Sequence, residues 1–216
     1  MMLLVAAPLL PAARMLGLIC AVAGAIGWSS PVAAQGAPLR IVTVGTSLTA
    51  VGGWQAPLEQ ALAACTGRPV TVVNLGVGST HSGHGLTRVA AVLEARPEIV
   101  LYEFAMNDAY VAFNIPLETA RANTLSFLDQ VAPHARVLLM TMNPTHGEVA
   151  GVRPHLARYY DLYRQIAGER GLRLIDHAAA WGARSDLATA IPDGVHPTPE
   201  AASAVMVPAI ARALCP

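Results

Sequence analysis

Five short apolar runs, at residues 40–44, 70–75, 99–104, 136–140 and 172–175, constrain this chain more than any other feature. Most are rich in Val, Ile or Leu and lack a clean polar alternation, the pattern of strands buried on both faces. Helix-like segments lie between and after them, at residues 53–64, 86–95, 116–132, 153–170 and 199–214. The third of these opens on Pro116 with Glu118 close behind, a helix-start signature. Alternation of strands and helices at these lengths predicts an α/β fold: a three-layer, doubly wound, parallel five-stranded sheet with right-handed crossovers. No internal repeat, low-complexity tract or second domain interrupts it.

The first 34 residues stand apart from this pattern. Arg14 precedes an apolar run over residues 15–27, and Val32-Ala33-Ala34 supplies small residues before a cut. This is the layout of a signal peptide over residues 1–34, with one domain over residues 35–216. The run is short for a spanning helix, so stable membrane insertion after cleavage is not expected. Cys20 follows Ile19 and not a small residue, which argues against a lipid-modified cysteine. A periplasmic or secreted location follows.

Charge narrows the functions available. The 14 basic residues are all arginine and are matched by 14 acidic ones, so the formal net charge is zero. Without lysine there is no Schiff-base amine, pyridoxal-phosphate anchor or phosphate-loop lysine. A balanced, sparse charge also argues against nucleic acid as a partner. His81 and His84 lie three apart, but no third ligand stands at a suitable spacing, so no metal is expected.

Two cysteines remain beyond the leader, Cys65 at the end of the first helix and Cys215 at the end of the last. In the flavodoxin-like strand order those helices run side by side and parallel, which brings their C-termini together. A Cys65–Cys215 disulfide is therefore expected, the alternative being two small buried residues.

In open α/β sheets ligands bind outside the carboxyl ends of the strands, so the segments after each strand hold the candidates. These are Gly45-Thr46-Ser47-Leu48-Thr49, Gly76-Val77-Gly78-Ser79-Thr80, Ala105-Met106-Asn107-Asp108, Asn143-Pro144-Thr145-His146 and Asp193-Gly194-Val195-His196-Pro197. A serine hydroxyl is a weak nucleophile until an imidazole accepts its proton, and that ring needs an acceptor on its other nitrogen. Asp193 and His196, three apart in one loop, are close enough for the carboxylate to orient the ring. The Ser47 N–H, a glycine-loop N–H and the Asn107 amide are candidate donors to an oxyanion. Asn143 and His146 share the rim as candidate substrate contacts, and Trp54 either walls a pocket or packs at a helix start.

These blocks, in this order and across the whole chain beyond the leader, resemble the SGNH hydrolases, the GDSL-like esterases. The resemblance implies Ser47 as nucleophile, His196 as base, Asp193 as its partner, and an oxyanion hole of Ser47, Asn107 and a second-block glycine. Gly78 is the expected glycine, with the Ser79 N–H as the alternative. Thr46 stands where the family usually has Asp, and Ala105 where it usually has Gly; neither is a triad position. The implied activity is hydrolysis of a small-molecule, polysaccharide or lipid ester through an acyl-serine, with no cofactor. The alternatives are O-acyl transfer to a sugar or lipid hydroxyl, and a non-catalytic carbohydrate-binding module. The α/β-hydrolases share the Ser…Asp…His order, but their Gly-x-Ser-x-Gly is missing from this sequence.

Overall fold

A computed structural model describes residues 37–216; the expected signal peptide, residues 1–34, lies outside them. Five strands, β1 Leu39–Gly45, β2 Val70–Asn74, β3 Ile99–Glu103, β4 Arg136–Thr141 and β5 Arg173–Asp176, form one parallel sheet in the order β2-β1-β3-β4-β5. The order reverses direction at β1 and β3, which places the switch point, and hence the ligand crevice, beyond Gly45 and Glu103.

Burial explains why the strands read as unbroken apolar runs. All five residues of β3 and all but one of β1 are buried, with Ile41 opposite Val72 on one side and Ile99 on the other. Edge strand β2 is only partly covered, and its Thr71 and Asn74 are exposed.

The helices, in chain order, are α1 Ser47–Ala50, α2 Gln55–Thr66, α3 Ser82–Thr87, α4 Val89–Glu94, α5 Ala105–Asp108, α6 Leu117–Val131, α7 Glu148–Gly151, α8 Leu156–Arg170, α9 His177–Gly182, α10 Leu187–Ala190 and α11 Pro199–Leu214. Helices α2 and α11 pack together in one layer, and α3, α6 and α8 in the other. The single helix expected over residues 86–95 is instead two, α3 and α4, divided at Arg88. The helix expected from residue 153 begins at Leu156. Pro154 disfavours helical backbone at the residue before it, so Arg153 stays in the preceding loop. Helices α1, α5, α7, α9 and α10 are too short to register as a 3.6-residue period.

One feature ties a helix layer to the sheet, and another ties two helices within a layer. Tyr102 of β3 sits fully buried against Phe104, Phe127 and Tyr163, with ring centroids 5.1, 4.6 and 5.9 Å away. On the opposite face of the sheet, Cys65 in the last turn of α2 is bonded to Cys215 just past the neighbouring α11, with 5.8 Å between their Cα atoms. No helix among the described residues is long and apolar enough to cross a membrane.

Candidate active site

The turn after β1 presents Ser47 because of what lies beneath it. The Glu103 side chain, fully buried at the end of β3, occupies the space under Gly45, where a Cβ would fall 2.2 Å from Oε1. Only glycine fits there. Glu103 Oε1 accepts from the Thr46 N–H at 2.7 Å, the Thr46 hydroxyl at 3.0 Å and the Thr49 hydroxyl at 2.7 Å. Thr46 in turn caps α1 by accepting from the Leu48 N–H. The threonine in place of the usual aspartate is thus bonded to a carboxylate on the neighbouring strand. Burial pushes the Glu103 carboxyl up to about 7, against the hydrogen bonds from Thr49 and Thr46.

Asn74, from the second block, braces the same turn. Its amide donates to Thr49 O and Ala50 O, and its carbonyl accepts from the Gly76 N–H. Trp54 is not in the crevice wall: it is fully buried and donates its indole N–H to Leu48 O. Its role is support of α1 from inside the core.

The histidine comes from a different kind of element. Ser47 Oγ lies 2.8 Å from His196 Nε2, and His196 Nδ1 lies 2.6 Å from Asp193 Oδ2. The other Asp193 oxygen accepts from the backbone N–H groups of Val195 at 2.9 Å and His196 at 2.6 Å. Partial burial works to raise the Asp193 pKa, but the His196 backbone N–H, the His196 ring and the Val195 N–H outweigh it and hold the carboxyl down at about 2. Asp193 therefore stays ionised as an acceptor, which leaves Nε2 unprotonated towards the serine when the ring is neutral.

Asn143 and His146 hold this loop, and Asn143 also lines a small space beside Ser47. The Asn143 amide donates to Val195 O at 2.7 Å, and Tyr160 donates its hydroxyl to Asn143 O at 2.8 Å. His146 donates its backbone N–H to Gly194 O, and its Nε2 lies 2.8 Å from Ile191 O. Gly194 has φ +78°, and a Cβ there would fall 2.5 Å from His146 O, so the tight passage requires glycine.

Asn107, in α5, is buried, and one of its amide hydrogens goes to Thr80 O at 2.8 Å. Its neighbour Asp108 anchors the other side of α5 by accepting from the Ser82 N–H at 2.8 Å, and burial raises this carboxyl to about 7 despite that bond. Strand β3 is held at its exit by the Tyr163 hydroxyl, which accepts from the Phe104 N–H at 2.9 Å.

A cavity of about 440 Å³ opens over these groups, lined by Ser47, Ser79, Asn107, Asp193 and His196 on the polar side and by Tyr110 and Phe113 on the other. Of the two second-block candidates, Ser79 lines this wall. Ser79 has φ +57°, a conformation uncommon for any residue but glycine, which turns it towards the crevice. Gly78 sits beside Ser47, its own open face 3.8 Å from the Ser47 Cβ. Tyr110, Phe113 and Arg153 also line the cavity without any prior signal in the sequence, since Tyr110 and Arg153 lie in irregular segments and Phe113 in a single 3-10 turn, Val111–Phe113. His81 caps α3, its Nδ1 accepting from the Gly83 N–H, and among the described residues no group of three His, Cys, Asp or Glu is arranged to hold a metal ion. His177, at the start of α9, is fully buried.

Known proteins resemble this chain in sequence and in fold. An arylesterase of Vibrio mimicus is 25% identical over 185 residues, covering 78% of this chain and 85% of its own. Among solved structures, the acetylxylan esterase Axe2 of Geobacillus stearothermophilus superposes with a TM-score of 0.71 at 21% identity, covering 83% of this chain and 94% of that one. LAE5, an alpha/beta hydrolase from the metagenome of Lake Arreo in Spain, gives 0.72 at 20% identity, with 83% and 95% covered. The sequence model of the GDSL-like Lipase/Acylhydrolase family matches residues 33–204, most of the chain. The chain belongs to that family and is an ester hydrolase of the GDSL type.

Proposed function

We propose that Ser47 is the nucleophile of an exported carboxylic esterase that works through an acyl-serine. The observation that carries this reading is the unbroken relay from Ser47 Oγ to His196 to Asp193, at 2.8 and 2.6 Å, on the floor of an open cavity. His196 takes the serine proton as Oγ bonds to the ester carbon, then gives it to the departing alkoxide. A water activated by the same imidazole releases the acid and restores the serine. Asp193, held ionised, stabilises the imidazolium formed in both steps.

The oxyanion needs donors fixed before the reaction begins. The Ser47 N–H, the second hydrogen of the Asn107 amide and the Ser79 N–H fill this role. Ser79 replaces Gly78 in the assignment because it, and not Gly78, lines the cavity.

Two spaces flank Ser47 and His196, and their sizes suggest how an ester lies. Besides the large cavity there is a niche of about 20 Å³ lined by Leu48, Val51, Met142, Pro197 and Met206. That is room for about one water-sized group. We assign the niche to a short acyl group, acetyl in size, and the large cavity to the alcohol. Export through the signal peptide over residues 1–34 is supported by the Cys65–Cys215 disulfide, a bond that persists in oxidising compartments.

A fluorophosphonate probe labels Ser47 in this reading, and Ser47→Ala or His196→Ala abolishes p-nitrophenyl acetate hydrolysis. Undiminished turnover in either variant would sink it. A series from acetyl to octanoyl p-nitrophenyl esters tests the niche: kcat/KM falls with chain length, and a rise would reverse the assignment of the two spaces.

A further inference from the structure

Five of the thirteen described arginines form ion pairs, and Arg153 is set apart from the unpaired ones by lining the reactive cavity. Arg68, Arg121, Arg164, Arg170 and Arg184 each pair with a carboxylate at 2.5–2.8 Å. Arg153 pairs with none among the described residues, although it is half-buried in the wall of the reactive cavity. Its Nε donates to Met106 O at 3.1 Å, and its guanidinium carbon lies 4.6 Å from the centre of the Tyr110 ring. One hydrogen bond and one stacked face thus set the plane of the group, while Nη1 and Nη2 donate to no protein atom among the described residues. Tyr110 is backed in turn by Phe113, edge-on at 5.3 Å.

A half-buried cation without a counter-ion is costly unless something outside the protein completes it. Burial disfavours the charge of Arg153, and the groups that act against this are Tyr110, Tyr160 and Asp193. Asp193 shares the cavity, but both its oxygens already accept from His196 and Val195. It is no contact partner for Arg153. What remains is an oriented, planar fork of donors facing the same space as the serine, a geometry that matches a carboxylate bidentately.

We propose that Arg153 is a specificity-determining residue that binds a carboxylate on the alcohol part of the ester, so that the preferred substrates are short-chain esters of acidic alcohols. This rests on the esterase reading above. An aromatic or sugar ring bearing the carboxylate lies along Tyr110 and Phe113, with its ester oxygen towards His196. Lysine in this position would keep the charge but lose the fork and the stacked plane.

The test compares 4-acetoxybenzoate with 4-acetoxybenzamide, which differ in charge and little in shape. The ratio of kcat/KM for the acid over the amide is measured in the unaltered chain and in Arg153→Gln. Dividing one ratio by the other cancels the intrinsic reactivities of the two esters. The expected result is a fall in the ratio of about tenfold or more in the variant, the range of a charge-assisted hydrogen bond. Arg153→Lys falls between the two. A residue that only supported Met106 and Tyr110 would change both substrates equally and leave the ratio where it was; that outcome overturns the proposal. Should the glutamine variant fail to fold, the unaltered enzyme still decides. Inhibition by 4-hydroxybenzoate is stronger than by 4-hydroxybenzamide and weakens with salt, and equal inhibition refutes the role. Loss of Ser47 labelling together with no turnover of either acetate would instead count against the esterase reading itself.

Discussion

The two carboxylates that support the site, Glu103 beneath the serine and Asp193 behind the histidine, are held in opposite ways. Glu103 is fully buried on a central strand and takes three donors on one oxygen, yet burial lifts its pKa to about 7. Asp193 lies on an exposed loop with its side chain 54% accessible, and its donors bring the pKa down to about 2. The number of donors is the same, three each. What differs is how much water each has lost, and this decides which sign wins. The buried group fixes the turn that carries Ser47; the exposed one remains charged beside the His196 ring.

The comparison breaks most directly at Asp193. Asp193→Asn should lower kcat by roughly 10³–10⁴ with the melting temperature little changed, as expected when the acceptor that fixes the tautomer is lost. Retention of more than a tenth of the activity would mean that the loop backbone alone orients His196. Glu103→Leu should act the other way round, on folding before chemistry. It leaves the Thr46 N–H and two hydroxyls without a partner, a loss of about 3 kcal/mol or more in denaturant unfolding.

Separating Cys65 from Cys215 by serine substitution of both should cost about 2–5 kcal/mol, because the bridge spans 150 residues of sequence. The loss is measured against the same unfolding curve, and activity at low temperature should survive, since the bond joins helix ends and lines neither space beside Ser47. A smaller change is expected at Asn143→Ala. It removes the amide held by Val195 O and loosens the histidine loop, with roughly a tenfold lower kcat and little change in global stability.

The finest test is the pH dependence of stability. A carboxyl at 4.5 in the unfolded chain and about 7 in the folded one binds more protons when folded throughout that window. Its contribution is fully present below pH 4.5 and lost as the pH rises through 7. Asp108 acts in the same direction, between 3.8 and about 7. His177 opposes them: its buried ring titrates at about 4, so folding gains as the pH rises from 4 towards 6.5. For Asp193 the sign is again reversed, with stability present above 3.8 and lost as the pH falls through about 2. Glu103→Gln should therefore flatten the decline of melting temperature between pH 5 and 8, while Asp193→Asn changes only the acid limb. Identical pH curves for the unaltered chain and Glu103→Gln would show that Glu103 titrates normally.

Much of this molecule was legible before the structure. The strands begin and end within a residue or so of the apolar runs, because burial on both faces leaves a local imprint that needs no knowledge of the neighbours. The order of Ser47, Asn107, Asp193 and His196 along the chain could likewise be read, since each follows a strand or precedes a helix. The division of residues 86–95 into two helices was not legible, because the apolar spacing alone continues across Arg88. Position on the rim makes Asn143 and His146 candidate substrate contacts and cannot show that the Asn143 amide and His146 Nε2 bond to the loop of His196.

By itself, then, the sequence determined the α/β alternation, the blocks that meet at the carboxyl edge of the sheet, and the residue types available there. Only the tertiary structure decided that Ser79, of the two second-block candidates, lines the cavity, that Glu103 lies under a turn 57 residues away, and that Arg153 lines the site with no carboxylate partner among the described residues. The physical reason is range. Periodicity and turn chemistry act over a few residues, while desolvation and hydrogen-bond partnership are set by segments that meet only once the sheet has closed around them.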